Sequence, residues 1–126
     1  MPYSSLVLDH FFNPQHVGTL ASPHGLGVVG TPGEGDFVQM FIGVAGGRIV
    51  EAKFRCFTCP VAVAACDMAA QLVQTMSLEE AQCLSPEDLA LALGGVPEEK
   101  MSRCRLAVSA VKAALGDYES QTRQQS

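Results

Sequence analysis

Thiols and carboxylates do chemistry only where the chain brings them together, and four of them stand at turning points of this sequence. Glu34 and Asp36 lie in a Gly- and Pro-rich loop, Cys59 falls between an alternating segment and a Pro-led helical run, and Cys104 opens the last helical stretch. A helix N-terminus carries a partial positive charge that favours thiolate over thiol, so Cys59 and Cys104 are expected to be thiolate-prone wherever solvent reaches them. Thiolates bind soft metals and accept sulfur. Cys56 and Cys59 form a C-x-x-C pair that suits a zinc knuckle or a redox couple, yet no second C-x-x-C or H-x-x-x-H follows to complete a tetrahedral site. Strand alternation sets Cys56 on the face of Ala52 and Phe54, where a free cysteine packs as a small hydrophobe. Cys66 lies about 10 Å along a helix from Cys59, too far for both sulfurs to hold one metal. Cys66 and Cys83 are therefore expected in the core, and His10, His16 and His24 as surface or packing residues. Without a bound ion, Glu34 and Asp36 amount to a solvated turn.

The elements that must position these groups are readable from period and punctuation. Tyr3 to Phe12 predicts an amphipathic helix stopped by Asn13-Pro14. Gly18 to Gly35 requires a loop, with a short extended piece at Leu26 to Val29. Phe37 to Val44 alternates with Val38, Met40, Ile42 and Val44 on one face. Arg48 to Phe57 alternates with Val50, Ala52, Phe54 and Cys56 against Glu51, Lys53 and Arg55, and Gly46-Gly47 between the two is a hairpin signal. From Pro60 to Met76 the period changes to a helical one with Asp67, Gln71 and Gln74 on its wet side. Ser77 and Ser85 each open a capped short helix, the second closing at Gly94-Gly95. A last helix from about Lys100 to Tyr118 sets Cys104, Val108, Val111 and Leu115 on one stripe, before a polar tail, Glu119 to Ser126, expected to fray. Strands come first and helices later, so the expected fold class is α+β, a small antiparallel sheet of about three strands with helices on one face, forming a single domain over residues 1–126.

Composition narrows the function. The chain has 126 residues, 48% of them apolar, which suffices for one buried core and argues against disorder. Thirteen acidic residues against eight basic ones leave a net charge of −5, which argues against nucleic acid or an anionic membrane as the main partner. No signal peptide or membrane span is evident, so a cytoplasmic location is expected. Five cysteines, an odd count outside a secretory context, read as core, ligand or reactive thiols and not as a disulfide framework.

Four blocks together carry a family resemblance: YSSLVLDHFFNPQHVG at Tyr3 to Gly18, VGTPGEGD at Val29 to Asp36, FRCFTCP at Phe54 to Pro60, and VPEEKMSRC at Val96 to Cys104. Across essentially its whole length the chain resembles the U-type iron–sulfur cluster scaffolds, IscU and the NifU N-terminal domain. That resemblance implies a non-enzymatic scaffold that binds iron, a nascent 2Fe-2S cluster or zinc, takes sulfur from a cysteine desulfurase, and passes the cluster to acceptor apo-proteins, as a monomer or homodimer. In that family three cysteines, an aspartate and a histidine surround the cargo. The matching positions here are Asp36, Cys59 and Cys104, while Glu34 stands where the first cysteine would be and Arg103 where the histidine would be. The stretch from Pro97 to Cys104 is one residue longer than usual.

These departures have chemical consequences. Glu34 is a harder ligand than a thiolate and would shift preference toward oxygen-tolerant iron coordination. Arg103 cannot ligate, because its guanidinium stays protonated, but it could favour the Cys104 thiolate or offset the charge of a thiolate-held cluster. Val96 to Lys100 matches the family's chaperone-recognition stretch only loosely. The expected ligand set is Cys59, Cys104, Asp36 and Glu34, with Asp36 displaceable; Cys56 joins it if the strand ends early and turns its thiol. Two other readings stand beside this one. The first is a degenerate scaffold homologue that binds zinc or no metal and acts through protein–protein contacts. The second is a thiol–disulfide exchange enzyme using Cys56 and Cys59.

Overall fold

The computed structural model describes residues 3–125. Helix α1 (Ser5–Phe12) is followed by three strands, β1 (Gly25–Gly30), β2 (Phe37–Ala45) and β3 (Arg48–Phe57). Helices α2 (Pro60–Val73), α3 (Leu78–Gln82) and α4 (Pro86–Ala92) follow, then a single 3-10 turn (Glu98–Lys100) and the long α5 (Met101–Gln125). The strands pair antiparallel in the order β1-β2-β3, which is the expected α+β arrangement. Gly46 and Gly47 turn the β2–β3 hairpin with φ of 59° and 73°, the left-handed pair that such a tight turn needs.

One sheet face carries Val38, Met40, Ile42, Ala52 and Phe54, each at most 1% exposed, and packs against α2 and α5. Approach of α5 to β1 depends on two glycines: a Cβ on Gly27 would sit 2.3 Å from the Ala110 carbonyl oxygen, and one on Gly25 would sit 2.4 Å from that of Ala114. Real Cβ atoms cannot come that close, so β1 is bare where the helix backbone crosses it. Asp117 fastens the crossing by accepting the Leu26 N–H at 2.8 Å. Both Ser77 and Ser85 form the full capping boxes expected of them, with Glu80 and Asp88 as the returning partners.

Four expectations need correction. Ile49, 1% exposed, faces the core in place of Val50, which is 55% exposed. The β2–β3 register slips between Gly43 and Val44, so that Gly43 pairs with Glu51 and Val44 with Ile49; Val50 is the extra residue and turns outward. Asp67, expected on the wet side of α2, is fully buried. Cys83, expected in the core, is exposed. Finally, α5 continues through the polar tail to Gln125, where fraying was expected from Glu119; Ser126 lies outside the described residues. Among the described residues no helix is long and apolar enough to cross a membrane.

Asp67 explains how the N-terminal segment is held. Its Oδ2 meets His10 Nδ1 at 2.5 Å, and its Oδ1 accepts the backbone N–H groups of Gln15 and His16 at 2.9 Å each. A carboxylate only accepts hydrogen bonds, so the imidazole carries its proton on Nδ1. His10 is 7% exposed, a packing histidine as expected. Beyond this clamp the chain runs alongside β3, where Phe54 donates its N–H to the His16 carbonyl and accepts the Gly18 N–H, both at 2.9 Å. The free edge of β3 is thereby covered at Phe54.

Candidate functional site

Three segments distant in sequence meet at one end of the sheet. They are the β1–β2 loop carrying Glu34 and Asp36, the β3–α2 junction carrying Thr58 and Cys59, and the first turn of α5 carrying Arg103 and Cys104. Asp36 joins them. Its Oδ1 accepts the Thr58 hydroxyl at 2.8 Å, and its Oδ2 pairs with Arg103 Nη1 at 3.0 Å. Sequence reasoning placed Arg103 at a ligand position but missed that its charge would be spent on Asp36. The only signal available was the opposite charge of the two residues.

Cys59 is the N-cap of α2, in an extended conformation with no side-chain cap bond, and half-buried. Pro60 opens the helix behind it, so the thiol sits where the chain leaves the sheet. Cys104 does not meet the condition set for a thiolate, contact with solvent. It is fully buried on the inner stripe of α5, and burial pushes its thiol above the ordinary range, against the opposing pull of Arg105 and with a further push from Glu87. A helix terminus that favours the thiolate does not outweigh that desolvation.

Cys56 stays on the Ala52 and Phe54 side of β3, half-buried, its thiol pushed up to about 11 by burial first and by the neighbouring Cys59 second. Cys66 is buried in α2 as expected, its thiol raised well above the ordinary range by burial. Glu34 is exposed, its backbone N–H closing a turn onto the Thr31 carbonyl at 3.0 Å.

Among the described residues no three His, Cys, Asp or Glu side chains converge closely enough to hold a metal ion. The donor types suit iron or zinc, since Cys59 and Cys104 supply soft sulfur and Asp36 and Glu34 supply hard oxygen. The arrangement is closed, however, with Asp36 turned to Arg103 and Cys104 beneath the surface. Arg103 Nε is itself buried and finds no hydrogen-bond partner among the described residues, a donor left unsatisfied beside the carboxylate.

Comparison with known proteins agrees with this architecture. The model of the NifU-like N terminal domain matches residues 2–125. The chain is similar to the iron–sulfur cluster assembly scaffold protein IscU 1 of Archaeoglobus fulgidus, 40% identical over 116 residues, which cover 92% of this chain and 76% of that protein. It is also similar to the iron–sulfur cluster assembly scaffold protein IscU of Escherichia coli K12, 37% identical over 124 residues, or 95% of this chain and 96% of that one. The crystal structure of the N-terminal part of a nitrogen-fixing NifU-like protein from Brucella abortus superposes with a TM-score of 0.73 at 16% identity, covering 93% of this chain and 94% of that chain. At that identity the likeness speaks for the fold alone.

Proposed function

Because the chain belongs to the NifU-like N-terminal domain family, we propose that it is an iron–sulfur cluster assembly scaffold, holding iron and sulfide at the Cys59 end before release to acceptor apo-proteins. The observation that carries this is the junction made by Asp36, which draws the β1–β2 loop, the Thr58-Cys59 corner and the start of α5 to one point. Scaffolding in place of turnover is the family's role, and the thiols at this end are half-buried at Cys59 and buried at Cys104. Cys59 is the first thiolate to engage cargo and the natural acceptor of sulfur from a cysteine desulfurase. Cys104 follows, giving up the proton that burial makes hard to lose, so loading there releases a proton and requires the start of α5 to loosen. Asp36 exchanges Arg103 for iron, and Glu34, free in its turn, supplies a hard oxygen where the family has a thiolate. The cargo is a 2Fe-2S cluster or its iron precursor, with zinc as the competing ion.

Protein purified without oxygen, then reconstituted with ferric iron and sulfide, is expected to carry acid-labile sulfide and visible charge-transfer absorption. Iron or zinc without sulfide would reduce the reading to a metal-binding relative. No metal under either condition would overturn it.

That last outcome corresponds to a second reading which the Asp36–Arg103 pair favours: a homologue whose site is held shut and which acts through protein contacts. The pair is weak enough to separate the two readings. Both side chains are partly exposed, so it is worth below about 1 kcal/mol, and a cation competing for Asp36 loses at most about fivefold in affinity to it. Arg103→Ala is therefore expected to tighten zinc binding to the metal-free chain by a measurable factor of up to about fivefold, read by competition with a chromophoric chelator. Unchanged affinity would mean that Asp36 does not take part in binding.

A further inference from the structure

A second surface lies away from the Cys59 end. The C-terminal part of α2, the turn after it, and helices α3 and α4 enclose an open groove of about 630 Å³. Leu84, 3% exposed, forms its floor, and Leu72, Met76, Leu91 and Ala92 form its walls. Leu91 is 80% exposed, although Leu89 on α4 and Leu93, the C-cap of that helix, are fully buried. Such exposure of a leucine on the rim of an apolar trough marks a place for apolar contact. Leu72 follows Cys59 by thirteen residues, about 20 Å along α2, so an occupant here leaves the cysteine end open.

The rim restricts what can fit. Glu79, Glu80 and Asp88 stand around the opening, all exposed; among the described residues no Lys, Arg or His lines the groove itself, and Arg48 lies near enough to Glu80 to act on its carboxyl. Glu80 is kept ionised by the Ser77 backbone N–H and hydroxyl, which hold its carboxyl below the usual range. A small ligand would want polar groups converging inside the cavity, and here the carboxylate-bearing residues are exposed to solvent. A second copy of this chain is a poor complement. Its exposed apolar helix residues Leu6, Leu8 and Phe12 on α1 are accompanied by Asp9 and by no Lys or Arg, on a chain of net charge −5. An anionic lipid surface meets the same repulsion.

We infer that this groove docks a cationic amphipathic helix of a partner protein, with leucine-like anchors at helical spacing over Leu84 and Leu91 and with Lys or Arg against the rim carboxylates. Apolar anchors supply the affinity and the carboxylates supply orientation and encounter rate. Met76 gives the wall a pliant side chain that can follow different anchors. The inference does not rest on cluster binding, since the groove and the Cys59 end share no residue.

The test uses the full chain and a fluorescein-labelled helical peptide of Leu and Lys, about 16 residues long with Leu on one face. Fluorescence anisotropy is expected to show saturable binding that weakens at least about tenfold with Leu91→Glu, a change at an exposed position that the fold tolerates. Raising salt from about 50 to about 300 mM should weaken it several-fold. A matched peptide of Leu and Glu should bind at least about tenfold less tightly. Amide shifts on binding should gather between residues 72 and 92 and spare Asp36 and Cys59. Equal binding to wild type and Leu91→Glu, equal binding of the two peptides, or shifts spread elsewhere would overturn the inference. So would a dimer of the free chain that Leu91→Glu dissolves, since the groove would then belong to a second copy.

Discussion

Anaerobic reconstitution of the Cys59→Ala variant is expected to leave acid-labile sulfide and iron below about a tenth of wild type, while Cys83→Ala retains both in full. The contrast follows from position. Cys59 caps α2 next in sequence to Thr58, whose hydroxyl holds Asp36, so it stands beside the junction where three segments meet, and its sulfur is the proposed first ligand there. Cys83 ends α3 on the apolar groove and touches none of those segments. With Cys59 gone the junction keeps two carboxylates and a buried thiol. Hard oxygen and a protonated sulfur do not retain a sulfide-bridged cluster. Circular dichroism and the unfolding midpoint should match wild type, because a half-buried cap residue with no side-chain hydrogen bond contributes little to the fold. Full iron and sulfide in Cys59→Ala would move the site elsewhere and undo the assignment of the β3–α2 corner.

Local signals made most of the fold readable, and long-range ones account for what was missed. The Gly46-Gly47 hairpin, the two capping boxes and the Pro60 helix start each depend on residues within a few positions of one another, and all stand as expected. Val50 reads as an inward residue only while period 2 is unbroken. The register slip opposite Gly43 breaks it, and nothing near Val50 announces that. Cys83 sits at the end of a five-residue helix, too short to show which side is buried. At the candidate site the sequence marks Asp36, Cys59 and Cys104 through their place at element ends. The pairing of Asp36 with Arg103 spans 67 residues and depends on the sheet bringing a loop to the start of α5. Burial of Cys104 was half legible: it shares the stripe of Val108, Val111 and Leu115, and that stripe outweighs its nearness to a helix start.

Asp67 was the largest misreading, and it marks the position where substitution should cost the fold most. A lone carboxylate on an Ala-rich helix looks like the solvated side, because its partners lie in a segment more than fifty residues earlier. Asp67→Ala strands three donors at once: the His10 ring N–H and the backbone N–H groups of Gln15 and His16. A buried donor without a partner costs roughly 1–3 kcal/mol, which applies most fully to the buried His10 contact and less to the part-buried Gln15 and His16 groups, and partial opening of the N-terminal segment relieves some of it. A net loss of roughly 3–5 kcal/mol is expected, against a total of about 5–15 kcal/mol for a domain of this size. Urea unfolding at pH 7 should show it as a large fall in midpoint with little change in slope. Asp67→Asn keeps a carbonyl oxygen for the two backbone groups and should lose less than half as much. Amide exchange should accelerate first between residues 5 and 18, and then in β3 around Phe54, where the His16 to Gly18 segment that Asp67 anchors covers its edge. An Asp67→Ala midpoint within error of wild type would mean that packing of α1 alone holds that segment, and that the buried carboxylate is dispensable to it. If the loss is found, the path from Asp67 to His16, and from there along β3 to Thr58 and Cys59, makes the N-terminal clamp a structural support of the candidate site. Cluster loading should then weaken in Asp67→Asn although no donor atom has been touched.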